Sequence, residues 1–295
     1  MADLRDMQLI AALARHEHFA RAAEECGISQ PAFSARIRNL EATLGVPMVK
    51  RGNRFLGFTP EGEIVLKWAR RMILDYDGLH QEVQAAKGAL VGRLSIGAVP
   101  TALTFAAGVP AKVHLAHPGL AIRLLSMSSS DIIRGIEDYT LDAGITYLDD
   151  AALGALKTVP LYDEQYVLLV PPALAPRQSG TVTWREAADL PLCLLTTNMR
   201  NRQIIDEIFA SVGATPAPVM ETNAFVAALT QVASGALATI APALLADALP
   251  IAEGSVRLPL TEPEATRSIG LVMAERDPHP PALRAFSDVV RVMAR

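Results

Sequence analysis

The residues best suited to chemistry fall into two groups. The first is Ser29, Gln30, Pro31, Ser34, Arg36 and Arg38, followed shortly by Lys50, Arg51 and Arg54. Amide, hydroxyl and guanidinium groups in such a run are the donors and acceptors that fit base edges and phosphates in a DNA major groove. Charge agrees. Between residues 29 and 71 the cations are Arg36, Arg38, Lys50, Arg51, Arg54, Lys67, Arg70 and Arg71 against Glu41, Glu61 and Glu63, in a chain whose net charge is −4. A local cationic surplus on an acidic chain is the footprint of a face that binds a polyanion. The second group is a set of short polar side chains at predicted strand-to-helix junctions: Thr101, Ser128, Ser129, Thr196, Thr197 and Asn198. Helix N-termini present free N–H groups and partial positive charge, so these residues suit either a small anion such as a carboxylate or ordinary N-capping. Arg200 and Arg202 stand close by in sequence, and Tyr147 and Phe225 are candidates for the apolar end of a pocket.

Other chemistries lack their residues. No GxSxG elbow, HExxH helix or Walker loop occurs, so no catalytic role is expected. His16 and His18 are spaced to opposite sides of a helix, His114 and His117 mark a solvated helix, and no metal or other cofactor is expected. Cys26 and Cys193 make no CxxC pair. Cys193 lies in an apolar strand and Cys26 in a helical core, which disfavours peroxide sensing by a thiol and fits a reducing cytoplasm. The first residues lack the pattern of a secretion signal. The longest apolar region, residues 235–251, is broken by Pro242, Asp247 and Pro250, so no membrane span and no membrane partner are expected.

At 295 residues, 51% hydrophobic and 20% charged, the chain has enough apolar surface for two or three folding units. Residues 1–87 read almost wholly as helix. Residues 20–26 and the helix opening at Ser29 make a helix, tight turn, helix unit: Ala22 and Ala23 allow a close crossing, Gly27 permits the turn, and Ser29 caps the second helix with Pro31 in its first turn. Phe33, Ile37, Leu40 and Leu44 form that helix's expected buried stripe. Residues 46–51 and 54–58 flank Gly52-Asn53 as a β-hairpin. Thr59-Pro60 then opens a helix running past Glu82, with Val65, Trp68, Met72, Tyr76, Leu79 and Val83 at heptad-like spacing, a stripe that wants a partner helix. After Lys87-Gly88 strands and helices alternate, as in βαβ units. The strands are economically placed in two lobes divided near Leu161, with the last strand and helix returning to the first and a ligand cleft between.

The motifs Arg21-Ala22-Ala23, Ser29-Gln30-Pro31-Ala32-Phe33-Ser34, Ile37, Leu40-Glu41, Leu44-Gly45-Val46-Pro47, Arg51 and Thr59-Pro60-Glu61-Gly62 resemble those of the LysR-type transcriptional regulators. The likeness is specific over the first 90 residues and looser beyond them. It implies an α+β multidomain chain: a winged helix-turn-helix over residues 1–58, a dimerisation helix over 59–90, and a two-lobed α/β effector domain like a periplasmic binding protein over 91–295. The lobes are expected at about 91–161 with 268–295, and at 162–267. It further implies double-stranded DNA carrying an inverted repeat, a small effector, a second copy of the chain in a dimer or tetramer, and RNA polymerase as partners. By position, Ser29, Gln30, Pro31, Ser34, Arg36, Arg38, Arg51 and Arg54 would contact DNA. Thr101, Ser128, Ser129, Thr196, Thr197, Asn198, Tyr147 and Phe225 would hold a carboxylate-type effector. Two departures, Ala35 and Met48-Val49, mean that no operator sequence carries over. The competing reading is a small-molecule binder of solute-binding fold whose helical N-terminus only dimerises.

Overall fold

The structure is a computed structural model that describes residues 2–50, 52, 54–176, 180–249 and 254–294. Arg51 lies outside them. The chain divides into two compact units, Met1–Leu90 with Glu137–Thr140, and Val91–Ile136 with Leu141–Arg295.

The first unit begins with α1 (Leu4–His16), capped by Asp3 in a reciprocal capping box with Asp6. α2 (Phe19–Glu25) and α3 (Gln30–Leu44) follow, separated by a turn in which Gly27 takes φ +67. Ala22 and Ala23 are fully buried, as a close helix crossing requires, and Phe33, Ile37 and Leu40 seat α3 on α1 and α2. Leu44, expected in that stripe, is instead 42% exposed, because α3 ends there at the left-handed Gly45 cap. A wing follows: Val49 bridges Phe58 in antiparallel fashion, and the Lys50 N–H donates to the Gly57 carbonyl. Its base is held by two motif residues. Glu41 Oε1 accepts from the N–H groups of Met48 (2.7 Å) and Val49 (3.1 Å), and the Thr59 hydroxyl donates to the Pro47 carbonyl at 2.6 Å. α4 (Pro60–Ala86) starts against this base so closely that a Cβ on Gly62 would lie 2.0 Å from the Met48 carbonyl oxygen.

The second unit opens with β1 (Gly92–Ala98), a 3-10 turn at Pro100–Ala102, α5 (Leu103–Ala116), β2 (Leu120–Ser126), α6 (Ser129–Glu137), β3 (Ala143–Tyr147) and β4 (Lys157–Val170). It continues with β5 (Val182–Thr183), α7 (Trp184–Ala188), β6 (Cys193–Leu195), α8 (Arg200–Ser211), β7 (Met220–Thr222), α9 (Phe225–Ala233), β8 (Thr239–Pro242) and α10 (Ala243–Ala248). It closes with β9 (Val256–Thr261), β10 (Thr266–Met273) and α11 (Pro281–Met293). Strand order is β2-β1-β3-β10-β4-β9-β5, with β8 also on β4 and a separate parallel pair β6-β7. This makes two lobes threaded by one strand: β4 pairs with β10 as far as Gln165, then with β8 and β9 from Tyr166 and Val167 onward. β4 thus starts at Lys157, where Pro160 and the charges around it hide the strand alternation in the sequence. The ladder tolerates Pro160 through a register shift opposite Ile269 and Gly270. β10 and α11 return to the first lobe, against β3 and α5.

Candidate functional site

Two sets of side chains must be placed. On the first unit, Gln30, Ser34, Arg38, Lys50 and Arg54 line one concavity of about 370 Å³ between α3 and the wing. Gln30, Arg38, Lys50 and Arg54 are exposed there, and Gln30 Nε2 donates to the Ser34 hydroxyl at 3.3 Å, holding both over the same groove. Ser29 caps α3 by accepting the Ala32 N–H, and Pro31 occupies its first turn, so these two shape the helix start. Arg36 is used differently. Its Nε and Nη2 donate to Asp6 Oδ1 at 3.0 and 2.7 Å, and Nη2 reaches Asp3 at 3.2 Å, which ties α3 to the capping box of α1. The carboxylates hold the Arg36 guanidinium on the protein, and the Asp6 N–H, helped by the Arg36 guanidinium, keeps the Asp3 carboxyl below its usual range.

Along α4, Trp68, Met72, Tyr76, Leu79 and Val83 are between 43% and 59% exposed, as a face awaiting a partner would be. Val65 is turned inward and packs on the core of the first unit with Ile73, and Ile64 takes its place on the open face. A shift of one residue around the helix is about 100°, enough to exchange the two sides.

On the second unit the structure gathers some of the expected effector residues and disperses others. Thr101, in the 3-10 turn after β1, caps no helix; its hydroxyl meets the Tyr147 hydroxyl at 3.0 Å, and Tyr147 donates to Glu164 Oε1 at 2.7 Å. Asn201, in the first turn of α8, donates to the same Tyr147 oxygen at 3.4 Å. The first lobe thus supplies Thr101 and Tyr147, the threading strand Glu164, and the second lobe Asn201, all four buried. Desolvation pushes the Glu164 carboxyl up to about 7, partly offset by its hydroxyl neighbours, and drives the Tyr147 phenol well above its ordinary value. Tyr147 is therefore a buried polar node rather than the apolar wall of a pocket. Ser128 caps α6 by accepting the Asp131 N–H, and Ser129 accepts from the Thr146 hydroxyl at 2.9 Å. Thr197 and Asn198 are exposed and Thr196 half-buried, just before α8, whose N-terminal N–H groups receive no side-chain cap. Phe225 belongs to the second lobe's core with Val167, Leu195 and Leu229.

The arginines expected near the mouth already have partners. Arg200 pairs with Glu207 and Asp149, Arg267 also with Asp149, and Arg202 with Asp206 and Glu221 while donating to the Leu195 carbonyl. Asp149 follows β3 and Arg200 opens α8, so this chain of charges also joins the lobes. Glu164 and Asn201 carry no sequence signal: one is an acid within a polar strand stretch, the other an amide between two arginines. Among the described residues no group of His, Cys, Asp and Glu could hold a metal ion, and no helix is long and apolar enough to cross a membrane.

A winged helix-turn-helix followed by a two-lobed α/β ligand-binding unit defines a regulator that carries its DNA head and its sensor in one chain. Residues 4–63 match the family described as bacterial regulatory helix-turn-helix protein, lysR family, and residues 87–294 match the LysR substrate binding domain. The chain belongs to the LysR family of transcriptional regulators. It is 27% identical over 290 residues to the DNA-binding transcriptional dual regulator OxyR of Escherichia coli, covering 98% of this chain and 95% of that one. The hydrogen peroxide-inducible genes activator of Dickeya chrysanthemi gives the same identity and coverage. Among solved structures, a cysteine-to-aspartate variant of full-length OxyR from Pseudomonas aeruginosa superposes with a TM-score of 0.80 at 25% identity, with all of both chains covered.

Proposed function

We propose that this regulator binds an inverted-repeat operator as a dimer or tetramer, and that a small carboxylate-type metabolite between the lobes of the second unit modulates that binding. The observation that carries the proposal is the buried network Thr101–Tyr147–Glu164–Asn201, which draws its members from both lobes. A ligand that inserts among these groups exchanges their hydrogen bonds for its own and so favours one lobe arrangement, the differential affinity that any effector needs. Support for an anion comes from the uncapped N–H groups at the start of α8, beside Thr197 and Asn198. The carboxyl of Glu164 opposes an anion when ionised and donates to it when protonated, so carboxylate affinity rises as pH falls through about 7.

The reading at the DNA is that Gln30, Ser34, Arg38, Lys50 and Arg54 touch the duplex, whereas Ser29, Pro31 and Arg36 build the helix that presents them. Arg51 stays in the proposal on the sequence motif alone. A peroxide-sensing role, which the names of some relatives suggest, is not favoured: Cys193 is fully buried, and burial pushes both the Cys193 and Cys26 thiols up, away from the reactive thiolate.

The test is footprinting on the DNA upstream of the protein's own gene. Arg38→Ala should weaken a protected inverted repeat by about tenfold or more, as loss of a base or phosphate contact does. Arg36→Ala should chiefly lower the melting temperature of the head, by the weight of a partly buried ion pair, about 1 kcal/mol. Equal, unlocalised binding by wild type and Arg38→Ala would overturn the assignment.

A further inference from the structure

Four charged side chains at the boundary of the lobes close into a ring. Arg200 Nη2 lies 3.4 Å from Asp149 Oδ2, Arg267 Nε lies 3.2 Å from the same oxygen, Arg267 Nη2 lies 4.0 Å from Glu207 Oε2, and Glu207 Oε1 accepts from Arg200 Nη1 at 2.8 Å. Signs alternate around the ring, so every charge has an opposite on both sides. The edges differ in where they run. Arg267 on β10 and Asp149 after β3 belong to the first lobe, and Arg200 and Glu207 both stand on α8 of the second. Two edges thus stay within a lobe, and these are the shorter; the other two, Arg200–Asp149 and Arg267–Glu207, cross between lobes and are the longer.

This arrangement changes the energetics of parting. Separating an ordinary desolvated ion pair strands two charges, which is why such pairs resist opening. Here each lobe leaves with a complete pair of its own, so the ring can break across its two long edges without stranding any charge. Dissolved ions can also reach it: its side chains run from 19% exposed at Arg200 to 53% at Glu207, and a concavity of about 330 Å³ borders Arg267 and Glu207. The crossing edge at Arg200 and Asp149 is close in the chain to the buried Asn201–Tyr147 bond, since Asn201 follows Arg200 and Asp149 comes two residues after Tyr147.

We propose that the ring is a reversible latch between the lobes, which holds them in the arrangement described here and releases them as two neutral halves, more readily as ionic strength rises. Its crossing edges are an attraction between internally paired dipoles, which biases the lobe equilibrium without fixing it. The latch stands whatever occupies the cleft; that it governs the admission of an effector rests on the reading given above.

The experiment measures parting in the full-length protein without DNA or effector. Thr101→Cys places a thiol at a buried position of the network that spans the lobes, and its alkylation by uncharged iodoacetamide, read at that residue by mass spectrometry, reports how often the lobes part. Three forms are compared in this background. The unaltered ring should be alkylated about threefold faster at about 0.5 M than at about 0.05 M salt, because screening weakens the crossing attractions. Arg200→Gln with Glu207→Gln removes those attractions, and its alkylation rate should not change with salt. Arg200→Glu with Glu207→Arg keeps a pair on α8 but sets like charges across both crossing edges; it should be alkylated about tenfold faster than the unaltered ring at low salt, and more slowly as salt is added. A merely structural disturbance would not reverse the sign of the salt response. A response of the same sign in the unaltered and exchanged rings, or no difference between the unaltered ring and the glutamine variant, would overturn the proposal. If the exchanged protein does not fold, the comparison of the other two forms decides alone. A failed latch leaves the effector reading in place, and a failed effector titration leaves the latch in place.

Discussion

Arg36 and Arg38 are two positions apart on α3 and so face different ways, one into Asp3 and Asp6, the other out into the groove with Gln30 and Ser34. Their identities were legible in the sequence, but their uses were not, because the partners of Arg36 are 30 and 33 residues away and only the packing of α1 on α3 brings them together. Glu164, like Asn201, is a residue that sequence reasoning missed altogether. The run Tyr162-Asp163-Glu164-Gln165-Tyr166 reads as polar, yet the strand's alternation turns Tyr162, Glu164 and Tyr166 inward. Its raised carboxyl has a consequence for stability. The folded protein holds a proton there that the unfolded chain releases, so stability falls as pH climbs from the ordinary carboxyl value of 4.5 to about 7. The size of that loss is about 3 kcal/mol at most. Thermal melts at pH values below and above this window should therefore show the wild type less stable at the higher one, and Glu164→Gln, which carries no ionisable proton, should remove most of that difference.

Among the elements, the helix-turn-helix, the wing and α4 were the most legible, since each rests on local signals: a Ser cap, a turn glycine, a Thr-Pro start and heptad spacing. What periodicity leaves open is rotation. Val65 and Ile64 are equally apolar neighbours, and the close seat of Gly62 on the Met48 carbonyl fixes which of them faces the core. Met72 and Leu79 sit well along the open face, far from that seat. The double substitution Met72→Glu and Leu79→Glu should weaken self-association by about a hundredfold, the effect of losing two central interface anchors. Sedimentation velocity at micromolar concentration would read this as a shift toward monomer, and unchanged sedimentation would remove α4 from the interface. The short elements β5 and α7 went unforeseen because a two-residue strand and a five-residue helix carry no period to detect.

At the scale of the molecule, two lobes were legible from alternating strands and helices, whereas the linkage between them was not. The links are single side chains, Asn201 to Tyr147 and Arg200 to Asp149, whose partners lie about fifty residues apart and obey no spacing rule. One further feature of the chain path shapes how the protein is made. β10 enters the first lobe between β3 and β4, in the middle of the sheet, and α11 then packs on α5. Until β10 has been made, the first lobe is a sheet with its central strand missing and two open edges, and β10 follows every other strand of that lobe in the chain. The second lobe suffers no such delay, because all of its strands lie between β4 and β9. Synthesis therefore presents a finished second lobe beside an unfinished first one, exposing unpaired edges of the kind that invite aggregation. A released chain truncated before Thr266 should be protease-sensitive at β1 to β3 while residues of α8 and α9 are protected, and equal protection of both lobes at that length would contradict this order of assembly.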